Sequence, residues 1–383
     1  MSQGVPGIPP PKALLDALAQ AGADPGSCGY VPNAGEPTLR RAIVEEMKES
    51  YGHEADLTEE DISITAGCNL AFVSAITTVA AHGDEVILPV PWYFNHEMTL
   101  TMLGIKPVWL QTSPDEGFQP SVRECEKLIT SSTRAIVLVT PNNPTGAIYS
   151  PDLIGSFAAL AHAHSLPLII DETYRDFILD GPPHRLFTST PILHPTAGSS
   201  LPSNWTWRQT LIQLFSFSKS YCIPGHRLGL VVASPDLSPA LNTALDNMQI
   251  CAPRPAQRAL AGLLPSLRPF VKANALAIAA RHELFKECLP KRWHIGSQGA
   301  YYAFVRHPFK GVDSVDVSKR LAQEMGVITL PAGFFGPGEK GNAAGKTSRW
   351  IRFSVANVDD DKVRKICTRL GESESVFGWE LDG

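Results

Sequence analysis

This sequence lacks several features that would place it quickly. No apolar run approaches the ~18 residues of a membrane-spanning helix. The opening residues, rich in proline and glycine, do not read as a secretory leader. Strong charge of one sign is missing: a net −5 over 383 residues offers no attraction for nucleic acid or an anionic membrane. Cysteine is sparse and scattered, at 28, 68, 125, 222, 251, 288 and 367, with no Cys-x-x-Cys pair and no Cys/His ligand spacing. That pattern argues against a disulfide framework or a metal centre, and reduced thiols in a cytoplasmic protein are the expectation. Internal repeats and low-complexity tails are absent as well. What remains, 44% hydrophobic and 19% charged, is a globular composition in a chain too long for one ordinary core.

The first dozen residues are extended, because Pro6, Pro9, Pro10 and Pro11 forbid a helix. A short helix is expected over Lys12–Ala21, and Pro37 opens an amphipathic one reaching about Tyr51. From Ile62 onward, short apolar strands alternate with helices. Strands are expected at 62–65, 85–90, 107–110, 135–139, 168–170, 211–215 and 228–232, and helices at 68–80, 93–103, 121–129 and 151–164, the last capped by Ser150-Pro151. Uniformly apolar strands mark a mostly parallel central sheet covered by helices on both faces, an α/β architecture. After Pro253 and Pro255 the pattern changes. An alanine-rich helix near 267–288 and strand-like segments at 301–305, 327–330 and 351–355 suggest a smaller α+β unit. The expected division is a large domain over 30–255 and a small domain made of 1–29 and 256–383. Two glycine-rich lookalikes, at 336–341 and 341–347, lack the flanking strand or helix of nucleotide-binding loops and read as a flexible connection.

One stretch stands out: Ser216-Phe217-Ser218-Lys219, with Arg227 eight residues after the lysine, between two apolar runs of strand length. A lysine held just past a buried strand loses its proton readily, because desolvation disfavours the ammonium form. A neutral lysine amine attacks aldehydes, and the Schiff base so formed is how pyridoxal 5'-phosphate (PLP) is carried. The two serines and Arg227 suit its phosphate. In open α/β sheets, ligands gather beyond the carboxyl ends of the strands. There this sequence places Gly67-Cys68 at a helix N-terminus suited to an anion, Asn143 in Pro141–Gly146, and Asp171 and Tyr174 after the strand 168–170. These supply an aldehyde acceptor, a carboxylate for a ring nitrogen, donors for a phenolic oxygen and a phosphate nest.

Read together, Gly4-x-Pro-x-x-Pro-Pro, Tyr30-x5-Pro37-x-Leu-Arg40, Asn143-Pro-Thr-Gly146, Asp171-Glu-x-Tyr174, Ser216-x-Ser-Lys219-x7-Arg227, Gly299-Ala-Tyr-Tyr302 and Arg352-Phe-Ser resemble the class I/II aminotransferases. These are fold type I PLP enzymes such as the kynurenine, aromatic and aspartate aminotransferases, and the resemblance covers nearly the whole chain. It implies transfer of an amino group from an α-amino acid to a 2-oxo acid in a homodimer with shared sites. Lys219 is then the covalent anchor and the base that moves the Cα proton. Asp171 keeps the ring nitrogen protonated, while Asn143 and Tyr174 donate to the phenolic oxygen, through a cis Asn143–Pro144 bond. Gly67, Cys68, Ser216, Ser218 and Arg227 form the phosphate cup, and Tyr93 stacks on the ring. Tyr30 reaches the phosphate of the neighbouring subunit. Arg352, with Gly4 and Asn143, receives the substrate's α-carboxylate. The same residues also serve eliminations, replacements and cyclisations by PLP lyases, synthases and cyclases of the family. In the family the Gly4 motif usually follows some tens of residues, whereas here it opens the sequence. A PLP-sensing transcription regulator would need a helix-turn-helix for which this pattern leaves no room.

Overall fold

The structure, a computed structural model, describes residues 1–188, 201–337 and 348–382. Strands β1 (Ile62–Thr65), β2 (Glu85–Val90), β3 (Lys106–Gln111), β4 (Thr133–Val139), β5 (Leu168–Asp171), β6 (Leu211–Ser216) and β7 (Gly229–Val232) form one sheet, ordered β1-β7-β6-β5-β4-β2-β3. Strands β3, β2, β4, β5 and β6 pair in parallel, whereas β7 runs antiparallel to β6 and β1. The connections explain the difference. Parallel neighbours need a helical crossover, and β4 and β5 have one in the helix Pro151–Ala163. Between β6 and β7 the chain makes only two tight turns, Phe217–Ser220 and Pro224–His226, and must return alongside. Lys219 and Arg227 ride on that return.

Both faces of the sheet are buried, and alternate side chains of a strand serve different cores. Ile136 and Leu138 of β4 join Leu168 and Ile170 of β5 on one face. Ala135 and Val137 join Ile169 on the other, with Phe72 and Ala75 of the helix Cys68–Val79. This double burial is why the strands read as continuous apolar runs.

A second sheet is antiparallel throughout: β8 (His294–Gly299), β9 (Tyr302–Arg306), β10 (Leu330–Pro331) and β11 (Trp350–Ser354), ordered β10-β11-β9-β8. Its core joins Val305, Ile351 and Phe353 to Phe285, Leu321 and Leu370 from the helices Leu264–Cys288, Ser314–Met325 and Asp360–Val376. Leu14 and Leu18 of the helix Lys12–Ala23 pack into the core of the first sheet, with Ala256 and Leu260, whereas Met1 belongs to the second core.

Some local expectations change. The strand expected at 327–330 reduces to Leu330–Pro331, because the Val327 N–H turns back to the Leu321 carbonyl at a helix end. The edge strand β8 was not expected, since Gly296, Ser297 and Gln298 break any apolar alternation. Two further helices, Ser238–Met248 and Arg254–Ala261, stand beyond the elements expected from the sequence. The glycine-rich connection at 338–347 lies outside the described residues.

Candidate active site

A cavity of about 370 Å³ opens at the carboxyl ends of β4, β5 and β6, facing the second sheet. It collects Gly4, Cys68, Tyr93, Asn143, Asp171, Tyr174, Ser216, Ser218, Lys219, Arg227 and Arg352, residues drawn from nearly the whole length of the chain. Of the residues singled out from sequence, Gly67 borders this set through Arg227, and Tyr30 does not enter the cavity: it is 78% exposed.

Lys219 sits in the single helical turn after β6, where its Nζ donates to the Gly4 carbonyl at 2.6 Å. Burial, and then the positive charges of Arg352 and Arg227, push its pKa down to about 8. The amine is therefore far easier to deprotonate than an exposed lysine. The Tyr301 hydroxyl donates to the Lys219 carbonyl at 3.2 Å, tying this turn to the second sheet.

Asp171 ends β5 with its carboxylate buried. One oxygen accepts from the Thr173 amide (3.0 Å) and hydroxyl (2.7 Å), and the other lies 3.1 Å from His96 Nε2. Burial works to raise its pKa, but the hydrogen bond and charge of His96, with Thr173, outweigh it and hold the carboxyl below its ordinary value. His96 stacks on Phe72, with ring centroids 3.9 Å apart, and meets Tyr93 edge-on. This histidine escaped the sequence reading. Its signal was its position three residues after Tyr93 at a helix start, a spacing that puts both on one face.

A cradle suited to an anion is shaped by backbone geometry. Gly67, at φ +88°, caps the helix Cys68–Val79, and a Cβ there would lie 2.2 Å from Arg227 Nη2. Only glycine admits both that dihedral and that approach. Ser216 and Ser218 are buried beside it, the Ser216 hydroxyl accepting from the Ser218 amide at 3.2 Å. The Cys68 thiol is pushed up by burial and by the charge of Asp171, which keeps it protonated.

Arg352, on β11, crosses to the first sheet. Its Nη1 donates to Asn143 Oδ1 at 2.8 Å and its Nη2 to the Ser2 carbonyl at 2.6 Å, with the guanidinium 4.5 Å from the Tyr302 ring centroid. Asn143 thus commits its oxygen to Arg352 and keeps its amide NH₂ for another acceptor. The Tyr174 and Tyr302 hydroxyls share a 2.7 Å hydrogen bond. The Asn143–Pro144 bond is cis, as are Val90–Pro91 and Thr140–Pro141.

These residues fit PLP. A glycine-lined helix N-terminus with two serines and an arginine suits a phosphate. A buried, ionised Asp171 suits a protonated ring nitrogen, and a lysine amine with a lowered pKa suits an aldehyde.

The architecture is that of fold type I aminotransferases. The chain superposes on a Thermus thermophilus aspartate aminotransferase variant with a TM-score of 0.83 at 25% identity, covering 97% of this chain and 95% of that one. It superposes equally on an aromatic aminotransferase from Pyrococcus horikoshii OT3, with a TM-score of 0.83, 25% identity, and 98% and 95% coverage. Among curated relatives, an aromatic aminotransferase from Arabidopsis thaliana is 27% identical over 379 residues, 97% of this chain and 88% of the relative. An aspartate aminotransferase from Sulfolobus acidocaldarius is 27% identical over 381 residues, with 96% and 88% coverage. The family profile "Aminotransferase class I and II" matches residues 1–370, and the chain belongs to that family. It is an aminotransferase, and the enzymes of this family depend in general on PLP.

Proposed function

We propose that this chain binds PLP through Lys219 and moves the amino group of an α-amino acid to a 2-oxo acid. The observation that carries the reading is the Lys219 amine, lowered to about pKa 8 and enclosed with Asp171, Arg227 and Arg352 in one cavity. When bound, PLP supplies an electron sink for the bonds at the substrate's Cα. The protein does the rest. Arg352 binds and orients the α-carboxylate with its planar fork, which exchanges the Ser2 carbonyl for the substrate. Lys219, once free, would act as the base that removes the proton from the substrate's Cα. Asp171, its charge secured by His96 and Thr173, holds a proton on the ring nitrogen. The Asn143 NH₂ and the Tyr174 hydroxyl donate to the phenolic oxygen. Gly67, Cys68, Ser216, Ser218 and Arg227 hold the phosphate, and Tyr93 covers the ring.

The working unit is a homodimer. Tyr30 at 78% exposure, Met102 at 72%, Met248 at 41% and Ile250 at 44% expose apolar surface that a second copy would cover. The Asn33 amide, close to Tyr30, donates to Asp246 at 3.2 Å and so links that loop to the helix bearing Met248. Tyr30 then serves the partner's phosphate cup. Residues 30–255 form the cofactor-bearing domain, and 1–29 with 256–383 the smaller one, although Leu14, Leu18 and Leu260 favour counting their helices with the larger. The seven cysteines are free, and among the described residues no helix is long and apolar enough to cross a membrane.

The test is a half-reaction. PLP-loaded enzyme given its amino acid without a 2-oxo acid should convert one equivalent per site to the pyridoxamine form, stop, and restart when an oxo acid is added. Sustained turnover with no acceptor would instead identify a lyase, synthase or cyclase.

A further inference from the structure

Two side chains are assigned to the cofactor's phenolic oxygen, Asn143 and Tyr174, and the second sheet reaches both. Arg352 on β11 takes the Asn143 oxygen. Tyr302, on the neighbouring strand β9, meets Tyr174 hydroxyl to hydroxyl at 2.7 Å. Both tyrosines are buried and both line the cavity, with their rings edge-on at a centroid distance of 5.5 Å.

Tyr302 is held from several sides. Its backbone pairs with Gly299 of β8 and with Ser354 of β11. The Arg352 guanidinium lies 4.5 Å from its ring centroid, a cation against a π face. A Cβ at Gly146, in the loop that carries Asn143, would overlap the Tyr302 carbonyl oxygen, and one at Gly4 would overlap its hydroxyl oxygen. Segments from distant parts of the chain thus close on this residue and keep its hydroxyl against Tyr174.

The protons can then be accounted for. A tyrosine hydroxyl has one proton to give and two lone pairs to receive with. On the aminotransfer reading, Tyr174 spends its proton on the phenolic oxygen. Burial pushes its pKa well above the ordinary tyrosine value, so it keeps that proton to offer. The hydrogen bond between the two hydroxyls must therefore run from Tyr302 to Tyr174. Donation into a hydroxyl oxygen polarises its O–H bond and strengthens the bond it donates in turn.

We infer that Tyr302 is a positioning residue: its hydroxyl donates to Tyr174, aims the Tyr174 proton at the phenolic oxygen and makes it a stronger donor there. This rests on the proposed binding of PLP through Lys219. A stronger donor stabilises the anionic phenolic oxygen, so the bound cofactor releases its proton at a lower pH.

Absorbance titration of the PLP-loaded protein, with no substrate present, reads that pH as a midpoint. Tyr302→Phe removes one oxygen and keeps the ring beside Arg352 and Tyr174. It should raise the midpoint by about 0.3–1 pH unit while PLP stays bound. Tyr302→Leu should also raise it, and stands in if the phenylalanine variant does not fold. Tyr174→Phe should raise the midpoint more. Adding Tyr302→Phe to that variant should then move it by less than about 0.2 unit, because the Tyr302 hydroxyl has lost the group it acts through. A Tyr302→Phe midpoint within about 0.2 unit of wild type would overturn the inference. A lower midpoint would overturn it too, since Tyr174 would then have been donating to Tyr302. So would an equal rise with and without the Tyr174 hydroxyl, which would mean that Tyr302 acts by another route. The levels separate. An unmoved midpoint in Tyr174→Phe would remove Tyr174 from the phenolic oxygen, and this inference with it. Failure of the wild type to take up PLP at Lys219 would refute the proposed function itself.

Discussion

Replacing Arg352 with alanine should separate substrate binding from cofactor binding. In the wild type its two terminal nitrogens donate to separate acceptors, Asn143 Oδ1 at 2.8 Å and the Ser2 carbonyl at 2.6 Å, and a guanidinium that exchanges the Ser2 carbonyl for a carboxylate can offer it two parallel N–H donors. Two charge-assisted hydrogen bonds lost together imply on the order of 2–4 kcal/mol, or roughly 30- to 1,000-fold weaker amino-acid binding. Arg352→Lys keeps the charge without the fork and should fall in between. The phosphate cup is built from other residues, so PLP should stay bound through gel filtration in both variants. There is a second consequence. After burial, the charge of Arg352 is the largest influence lowering Lys219, so removing it should raise the amine's pKa above about 8. Calorimetry with an unreactive carboxylate measures the first effect, and the pH dependence of PLP capture the second. Binding within about threefold of wild type in the alanine variant would refute the fork, because bidentate, charge-assisted pairs are not that weak.

Three further outcomes follow from the same geometry. Capture of PLP by the cofactor-free protein needs the neutral amine, so its rate should climb about tenfold per pH unit on the acid side and level off above about pH 8; a flat profile from about pH 6.5 to 9 would contradict the lowered Lys219. Gly67→Ala puts a Cβ 2.2 Å from Arg227 Nη2 at φ +88°, so PLP affinity measured by dialysis should fall while the far-ultraviolet circular dichroism stays native; unchanged affinity would remove Gly67 from the cradle. Tyr51, whose buried hydroxyl bridges Glu172 and Gln213 behind β5, should cost about 1–3 kcal/mol in urea unfolding when changed to Phe, and a loss below about 0.5 kcal/mol would mean that the bridge is not needed for stability.

Much of this was legible because double burial leaves a strong mark. Strands such as β4 and β5, apolar on both faces, stand out from amphipathic helices, and the polar residues that interrupt them at their carboxyl ends are the site itself. Lys219, Asp171, Asn143 and Arg227 could be read in that way, each as a polar residue close to a buried run. The antiparallel turn of β7 was less legible, because an apolar run shows burial and not direction. His96 was hidden for a related reason. Among helix residues a histidine is usually a satisfied core or surface group, and its contact with Asp171 crosses from one strand–helix unit to another. Tyr302 was visible only as part of a motif, and its hydrogen bond to Tyr174 depends on how the second sheet docks. Strand β8 lacked a signal altogether, since its half-exposed edge needs no apolar alternation.

The central claim is that Lys219 is the covalent anchor of the cofactor. Borohydride reduction of the PLP-loaded enzyme, followed by proteolysis and mass mapping, tests it without any knowledge of the substrate. The pyridoxyl mass should appear on the peptide carrying Lys219 in near-stoichiometric yield, and Lys219→Ala should take up no reducible cofactor. A pyridoxyl label on a different lysine, or reducible PLP retained by the alanine variant, would contradict the account.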